Sequence, residues 1–376
     1  MHNPEHEAHQ LAAKLSPRGR HIVLLIGAGA SCAAGLPDTA GLQVAVREAL
    51  DEGDRAAYDR VHVGRDIEKA LTHLRLVAET LRGTTAVLND LTSDDATALD
   101  RKICSAIAHV IVNRTGTSTA HDDWARWAAR VRQDEALEVF TTNYDLLLER
   151  ALEVVGVPYF DGFVGTYEGR FRPDLVDSAA PPPGIFPPAR WIRIWKLHGS
   201  ISWLRLEGPP MSTVVRKGAT PNPADGAPLA IFPSLQKYDE SRRTPFVVLA
   251  DRLRRSLTVP ETLCLTIGYS FGDQHINEVL YEAATQHPSS EVVALFRGTA
   301  PAAVTTRAQN IPNLSVLDAK SATIGGQEGE WQAPSENTPF WKDGRFKLGD
   351  FAALARFLLL SVGRTEPERP QLDGQP

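Results

Sequence analysis

With 376 residues, 43% hydrophobic and 23% charged side chains, the chain has the composition of a folded globular protein, which excludes a disordered or fibrous one. Forty basic against 46 acidic residues leave a formal charge of -6, which excludes a surface built mainly to neutralise nucleic-acid phosphates. Cys32, Cys104 and Cys264 are too few and too widely spaced for a disulfide framework or a Cys-x-x-Cys zinc site, which predicts a reducing compartment.

In chain order, HEAHQLAAKL within residues 1–17 predicts a short amphipathic helix, broken by SPRG. The run His21–Ile26, HIVLLI, is apolar without alternation, as suits a strand covered on both faces of a parallel sheet. From about Gly41 to Asp134, apolar residues recur every three or four positions, which predicts a helical insertion. A second strand, ALEVFTT, ends at Thr142 and leads through NYD into a helix that stops at Gly156.

Residues 158–190, with PPPGIFPP, read as an irregular surface excursion, and WIRIWKLHG as a third strand. A loop-rich stretch, Met211–Arg243, precedes a helix near Phe246–Ser256, whose arginines in RRTPFVVLADRLRR read as a solvated face. TLCLTIG is a fourth strand ending at Gly268, DQHINEVLYEAATQH a helix, and Glu291–Phe296 and Asn313–Leu317 a fifth and sixth strand. A helix at Phe351–Val362 precedes a predicted mobile tail, 364–376.

Alternating strands and helices imply an α/β fold: a Rossmann-like, mainly parallel sheet with helices on both faces and a crevice outside the carboxyl ends of the strands. The expected organisation is one domain over 1–363, with a helical insertion at about 41–134 and Pro/Gly-rich loop insertions at about 158–190 and 207–244. No charged-then-apolar leader opens the sequence, and HIVLLI and FLLLSV fall far short of the ~20 apolar residues of a membrane span, which predicts a cytoplasmic protein without membrane contact.

Four strand ends carry polar or glycine-rich turns, and each has two readings. In GAGAS, Gly27 and Gly29 let the backbone approach a ligand and the next helix offers free N–H groups to a phosphate, or else they permit tight packing. The turn lacks the third glycine of Gly-x-Gly-x-x-Gly, holding Cys32 there, and has no Gly-Lys-Ser/Thr, which disfavours a P-loop. In TTNYD, Asn143 and Asp145 point into the crevice or cap the next helix. His198 of WKLHGS is a general base poised near neutral pH or a satisfied structural histidine. In GYSFGD, Gly268, Ser270 and Asp273 face a ribose or an adenine, or form an ordinary capped turn.

Together, GAGAS...GLPD, TTNYD, LHGS and GYSFGD, in that order from His21 to about Asn277, resemble the sirtuin-like (SIR2) superfamily, and most of all the bacterial branch that supplies NAD-consuming subunits in antiphage defence. The resemblance implies that Gly27, Ala28, Gly29 and Ser31 cradle the pyrophosphate of NAD and that Asp38 lies near the nicotinamide ribose. Thr142 would join the NAD contacts, Asn143 and Asp145 would serve the nicotinamide pocket and the attacking water, and His198 would be the general base or an orienter. Gly268, Ser270 and Asp273 would hold the adenosine side. The zinc-binding cysteines of the deacylases are missing after His198, where Cys264 stands alone, and Thr39 and Ala40 replace the usual Phe-Arg after GLPD.

The activity so implied is an NAD glycohydrolase that releases nicotinamide and ADP-ribose, takes NAD as substrate and requires no metal. By analogy it is a homo-oligomer gated by a partner such as a HerA-type ATPase or a short Argonaute. The alternatives are a non-catalytic module that senses NAD or ADP-ribose, and an NAD-dependent protein deacylase. The choice between NAD and NADP is open, since Glu48 and Asp51 have roughly the spacing of a ribose-binding acid but fall within the helical insertion.

Overall fold

The computed structural model describes residues 1–15, 20–114, 116–131, 136–176, 188, 191–206, 213–217, 229–231 and 244–362. The expected tail, and much of the two loop insertions, lie outside the described residues.

After α1 (Pro4–Lys14) comes β1 (Ile22–Ile26), the single-turn α2 (Ala28–Ser31), and then α3 (Thr39–Ala49), α4 (Glu52–His62), α5 (Ile67–Leu81), α6 (Ser93–Arg114) and α7 (Thr119–Arg130). The chain continues through β2 (Glu138–Thr141), α8 (Leu147–Val155), β3 (Tyr159–Phe160), β4 (Phe163–Val164), β5 (Glu168–Phe171), α9 (Pro173–Val176), β6 (Ile192–Lys196), β7 (Gly199–Leu206), β8 (Thr213–Lys217) and β9 (Leu229–Ile231). It closes with α10 (Phe246–Thr258), β10 (Leu263–Ile267), α11 (Gln274–Gln286), β11 (Glu291–Leu295), α12 (Ala302–Asn310), β12 (Leu314–Leu317), β13 (Ser321–Ile324), β14 (Gln327–Glu330), β15 (Trp341–Lys342), β16 (Arg345–Phe346) and α13 (Phe351–Ser361).

The central sheet has nine strands in the order β14-β13-β12-β11-β10-β1-β2-β6-β3, parallel except for the β13 and β14 edge. β1 lies mid-sheet and is buried along its whole length. Ile22, Leu24 and Ile26 face a core shared with α7, α8 and α13, whereas Val23 and Leu25 face the core under α10, α11 and α12. An unbroken apolar run thus supplies both faces, because successive side chains alternate sides. Burying each such side chain stabilises the fold by roughly 1.5–3 kcal/mol.

Two departures from the expected organisation bear on the site. The helical segment divides: α3–α6 pack into a core around Val46, Leu71, Leu74 and Ile107 that also takes in Tyr144, Leu147, Ile201 and Leu204, whereas Trp124 and Trp127 of α7 are buried in the sheet layer. The stretch WIRIWKLHG also divides, because Gly199 has a φ of +90° and turns the chain out of β6 into β7. β7 belongs to a second, five-stranded sheet of order β4-β5-β8-β7-β9. The expected solvated face on α10 is interrupted by Arg252, which pairs with the buried Glu138.

The chain runs from β1 outward to β2 and β6, then returns to β10 on the other side of β1. That reversal opens a crevice beyond the carboxyl ends of β1 and β10, where α/β sheets of this kind hold ligands.

Candidate functional site

A cavity of ≈ 430 Å³ occupies this crevice, within the range of small-molecule sites. Ala28, Gly29, Ser31, Asp38, Thr142, Asn143, Asp145, His198, Gly268, Ser270 and Asp273 all line it. Gly27 does not: its carbonyl is turned to Asn143.

The glycines pack backbone against backbone rather than clearing space for a ligand alone. A Cβ on Gly27 would lie 2.5 Å from the Gly268 carbonyl oxygen, and one on Gly268 would lie 2.5 Å from the Ala30 nitrogen. Gly268 also has a φ of +65°, a conformation that disfavours side chains. The turns after β1 and β10 therefore touch across the switch point, with Gly29 N donating to Gly268 O at 2.9 Å. The expected helix start after the glycines is a single α turn followed by a 3₁₀ turn, Cys32–Ala34, that ends at left-handed Gly35.

Asn143 is fully committed on its donor side. Its Nδ2 donates to the Gly27 carbonyl at 3.0 Å and to Ser31 Oγ at 2.9 Å. Because a carbonyl only accepts, this fixes which end of the amide is nitrogen. Oδ1 is then left buried with no hydrogen-bond partner among the described residues. Ser31 Oγ donates in turn to Asp145 Oδ2 at 2.6 Å, while Asp145 Oδ1 accepts from Leu147 N at 3.0 Å at the start of α8. The helix-start reading of Asp145 is met by Oδ1, while Oδ2 is taken by Ser31, which lines the cavity beside it.

Lys196, in the last position of β6, underpins this turn. Its Nζ is buried and donates to the carbonyls of Asn143, at 3.2 Å, and of Asp145, and it pairs with Glu149 Oε1 at 3.1 Å. Burial raises the Glu149 carboxyl above its ordinary value, with Lys196 opposing.

His198 Nε2 lies 3.1 Å from Asp273 Oδ2, and Glu68 Oε1, from α5, stands 3.8 Å from Nδ1, beyond hydrogen-bond distance. Tyr144 OH donates to the same Glu68 oxygen at 3.1 Å. Burial disfavours a charged imidazole, but Asp273 and Glu68 outweigh it and raise His198 to about 9. Asp273 is lowered despite its burial, by the bond to His198 and by the His275 and Ile276 N–H groups that its other oxygen caps. His198 is therefore cationic at neutral pH, which suits an orienting role; a neutral base requires its proton to leave first. Asp273, expected on the adenosine side, sits against His198 in the loop after β10, whose first residue, Gly268, packs on the glycine turn.

Asp38 caps α3 through Gly41 N at 2.8 Å while its residue lines the cavity. Glu48 lies within α3 and Asp51 caps α4 through Asp54 N, and neither lines the cavity. Sequence reasoning missed Glu68, Tyr144, Lys196 and Arg297, of which Glu68, Tyr144 and Arg297 line the cavity. Among the described residues, no group of three or more His, Cys, Asp or Glu is placed to hold a metal, and no helix is long and apolar enough to cross a membrane.

Residues 137–314 match the family model of the SIR2-like domain. No curated protein matches the chain. A solved structure described under "Structural Basis for the Mechanism and Regulation of Sir2 Enzymes" aligns over 95% of this chain and 96% of its own, at 12% identity and a TM-score of 0.46. The matched segment supplies Asn143, Asp145, His198 and Asp273 to the cavity and leaves the glycine turn and the helical module outside it. Over residues 137–314 the chain is similar to the SIR2-like domain.

Proposed function

We propose that the chain is an NAD glycohydrolase, cleaving the bond between nicotinamide and ribose with water as acceptor. The observation that carries this reading is Asn143, a cavity-lining residue whose amide is locked by two donated bonds and whose acceptor oxygen is buried with no partner among the described residues. Such an oxygen fits either a water to be aimed at the anomeric carbon or the N–H of a carboxamide.

The charge of the wall supports the same chemistry. Asp38, Asp66, Glu68, Asp145 and Asp273 line the cavity against the cations His198 and Arg297. Carboxylates stabilise the positive charge that develops on the ribose as the bond breaks, and the leaving nicotinamide, already a pyridinium, needs no strong acid to expel it. Held between Asp273 and Glu68, His198 orients a ribose hydroxyl, and either carboxylate accepts the proton released from water.

Gating by assembly with a partner completes the proposal, since an unregulated hydrolase would exhaust its own cell's NAD. The notion of an antiphage effector, with a HerA-type ATPase or short Argonaute as partner, rests on the resemblance of the sequence motifs. The test is nicotinamide release from NAD by the purified chain, with no protein substrate, alone and in lysate. Asn143→Ala is expected to cut release by about 10²- to 10³-fold, the scale of removing one preorganised polar group. Binding of ADP-ribose without turnover under any condition would overturn the hydrolase and leave a sensor.

A further inference from the structure

A second cavity, of ≈ 440 Å³, opens beside the first, and the two meet at Arg297. Lys342, Arg345 and Lys347 line it with Arg297, against one acid, Asp350. In a chain of net charge -6 this is a concentrated excess of cations. Lys342, Arg345 and Lys347 form no ion pair among the described residues.

The cluster stands on a rigid platform. A Cβ on Gly349 would lie 2.0 Å from the Phe296 carbonyl oxygen and 2.7 Å from Arg297 N, so the connector to α13 rests directly on the end of β11. Asp350 caps α13 through Ala352 N and Ala353 N with one oxygen and meets Arg297 Nε at 3.3 Å with the other. The β15–β16 hairpin is anchored by buried Phe346, stacked on Trp331 at 4.6 Å, and by Phe346 N donating to Ala319 O at 3.0 Å. The backbone that carries these cations is thereby fixed, while the side chains of Arg297, Lys342 and Arg345 are exposed.

Strand order places the cluster relative to the chemistry. Asn143 follows β2 and Arg297 follows β11, with β1 and β10 between them, so three strand spacings, roughly 14 Å, separate the two. A dinucleotide with its nicotinamide at Asn143 brings its adenosine end to Arg297.

We propose that this basic annex binds a phosphate monoester on the adenosine ribose, so that the site takes NADP in preference to NAD. The inference rests on the dinucleotide reading above. A phosphate dianion satisfies a guanidinium fork and neighbouring ammonium groups better than a ribose hydroxyl does.

The experiment is calorimetric titration of the purified chain with ADP-ribose and with 2′-phospho-ADP-ribose at low ionic strength. The phosphorylated ligand is expected to bind about tenfold tighter or more, with the advantage shrinking as salt rises. In the double variant Arg345→Ala, Lys347→Ala the ratio of the two affinities falls to near one. Equal affinities in the unmodified chain, or a ratio that survives the double variant, overturn the annex and leave the dinucleotide site standing. Binding of neither ligand overturns both.

Discussion

The turn after β2 and the turn after β10 both carry an aspartate that caps a helix with one oxygen and meets a cavity-lining side chain, Ser31 or His198, with the other, yet close glycine packing pins only the second. Thr142–Leu146 is pinned by polar contacts: Thr141 Oγ1 donates to Ile26 O at 2.8 Å, Asn143 N donates to Thr141 Oγ1 at 3.0 Å, and Lys196 reaches two of its carbonyls from below. Gly268–Asp273 is pinned at its start by shape, through the glycine contact across the switch point, and further along by Asn277 Nδ2 donating to Phe271 O at 2.8 Å and Tyr269 OH donating to Asp273 O at 3.1 Å. A charge-pinned turn fails when its buried partner is removed, and a shape-pinned one fails when a single methyl is added.

Lys196→Met gives the largest effect. It strands Glu149 and two carbonyls without their buried donor, and removing one member of such a group costs about 3–5 kcal/mol. The double variant Lys196→Met, Glu149→Met is expected to recover most of that loss, because two apolar side chains leave no buried carboxyl behind. Urea denaturation of both variants checks it; a single variant costing under about 1 kcal/mol would show that polar pinning is unimportant here.

Asp273 of the second turn holds His198, which follows β6, and pH reads that contact. A histidine raised to about 9 in the fold, from an ordinary 6.5, contributes stability that is fully present below the unfolded value and lost as pH rises through about 9. The contribution is of order 3 kcal/mol, and denaturation midpoints measured from pH 6 to 10 should fall across that window. The His198→Gln variant should lack this fall. A profile with the same decline in both proteins would remove His198 from the linkage.

Gly268→Ala comes next. The methyl meets the Ala30 backbone nitrogen at 2.5 Å in a left-handed conformation, which predicts a loss of about 2–3 kcal/mol together with weakened ligand binding. Gly298→Ala, with nothing within 4 Å, is the control and should be near neutral. Thermal melts of the pair decide whether shape holds the second turn.

How far the sequence revealed these turns follows from their physics. The strands were legible because apolar runs without alternation have one economical use, burial on both faces of a parallel sheet, as Ile22–Ile26 shows. The convergence of Asn143, Asp145 and His198 was legible because strand ends meet in such sheets. Their partners were not. Gly27 and Gly29 announce a close approach without saying that Gly268 is what approaches, and a carboxylate's two oxygens let Asp145 and Asp273 each cap a helix with one oxygen while the other meets a partner the sequence does not name, Ser31 and His198. Glu68 carries no local signal at all: it sits at the start of an ordinary amphipathic helix whose cap is Asp66, 76 residues from the Tyr144 hydroxyl it accepts from.

Glu68 also gives the smallest and most discriminating prediction. Of the two carboxylates near His198, Asp273 comes from the cap of α11, whereas Glu68 comes from α5 in the helical segment. Glu68→Gln keeps the shape and an acceptor for Tyr144 while removing the charge. It should lower the His198 midpoint by about one pH unit, since Asp273 still holds Nε2. The shift is read directly from the imidazole proton resonance during an NMR titration. Stability at pH 7 should change by only about 1 kcal/mol or less, because most of the pairing remains. A midpoint that does not move would mean that the module merely walls the cavity; a midpoint that falls would make the position of α5 a control on the charge of the site.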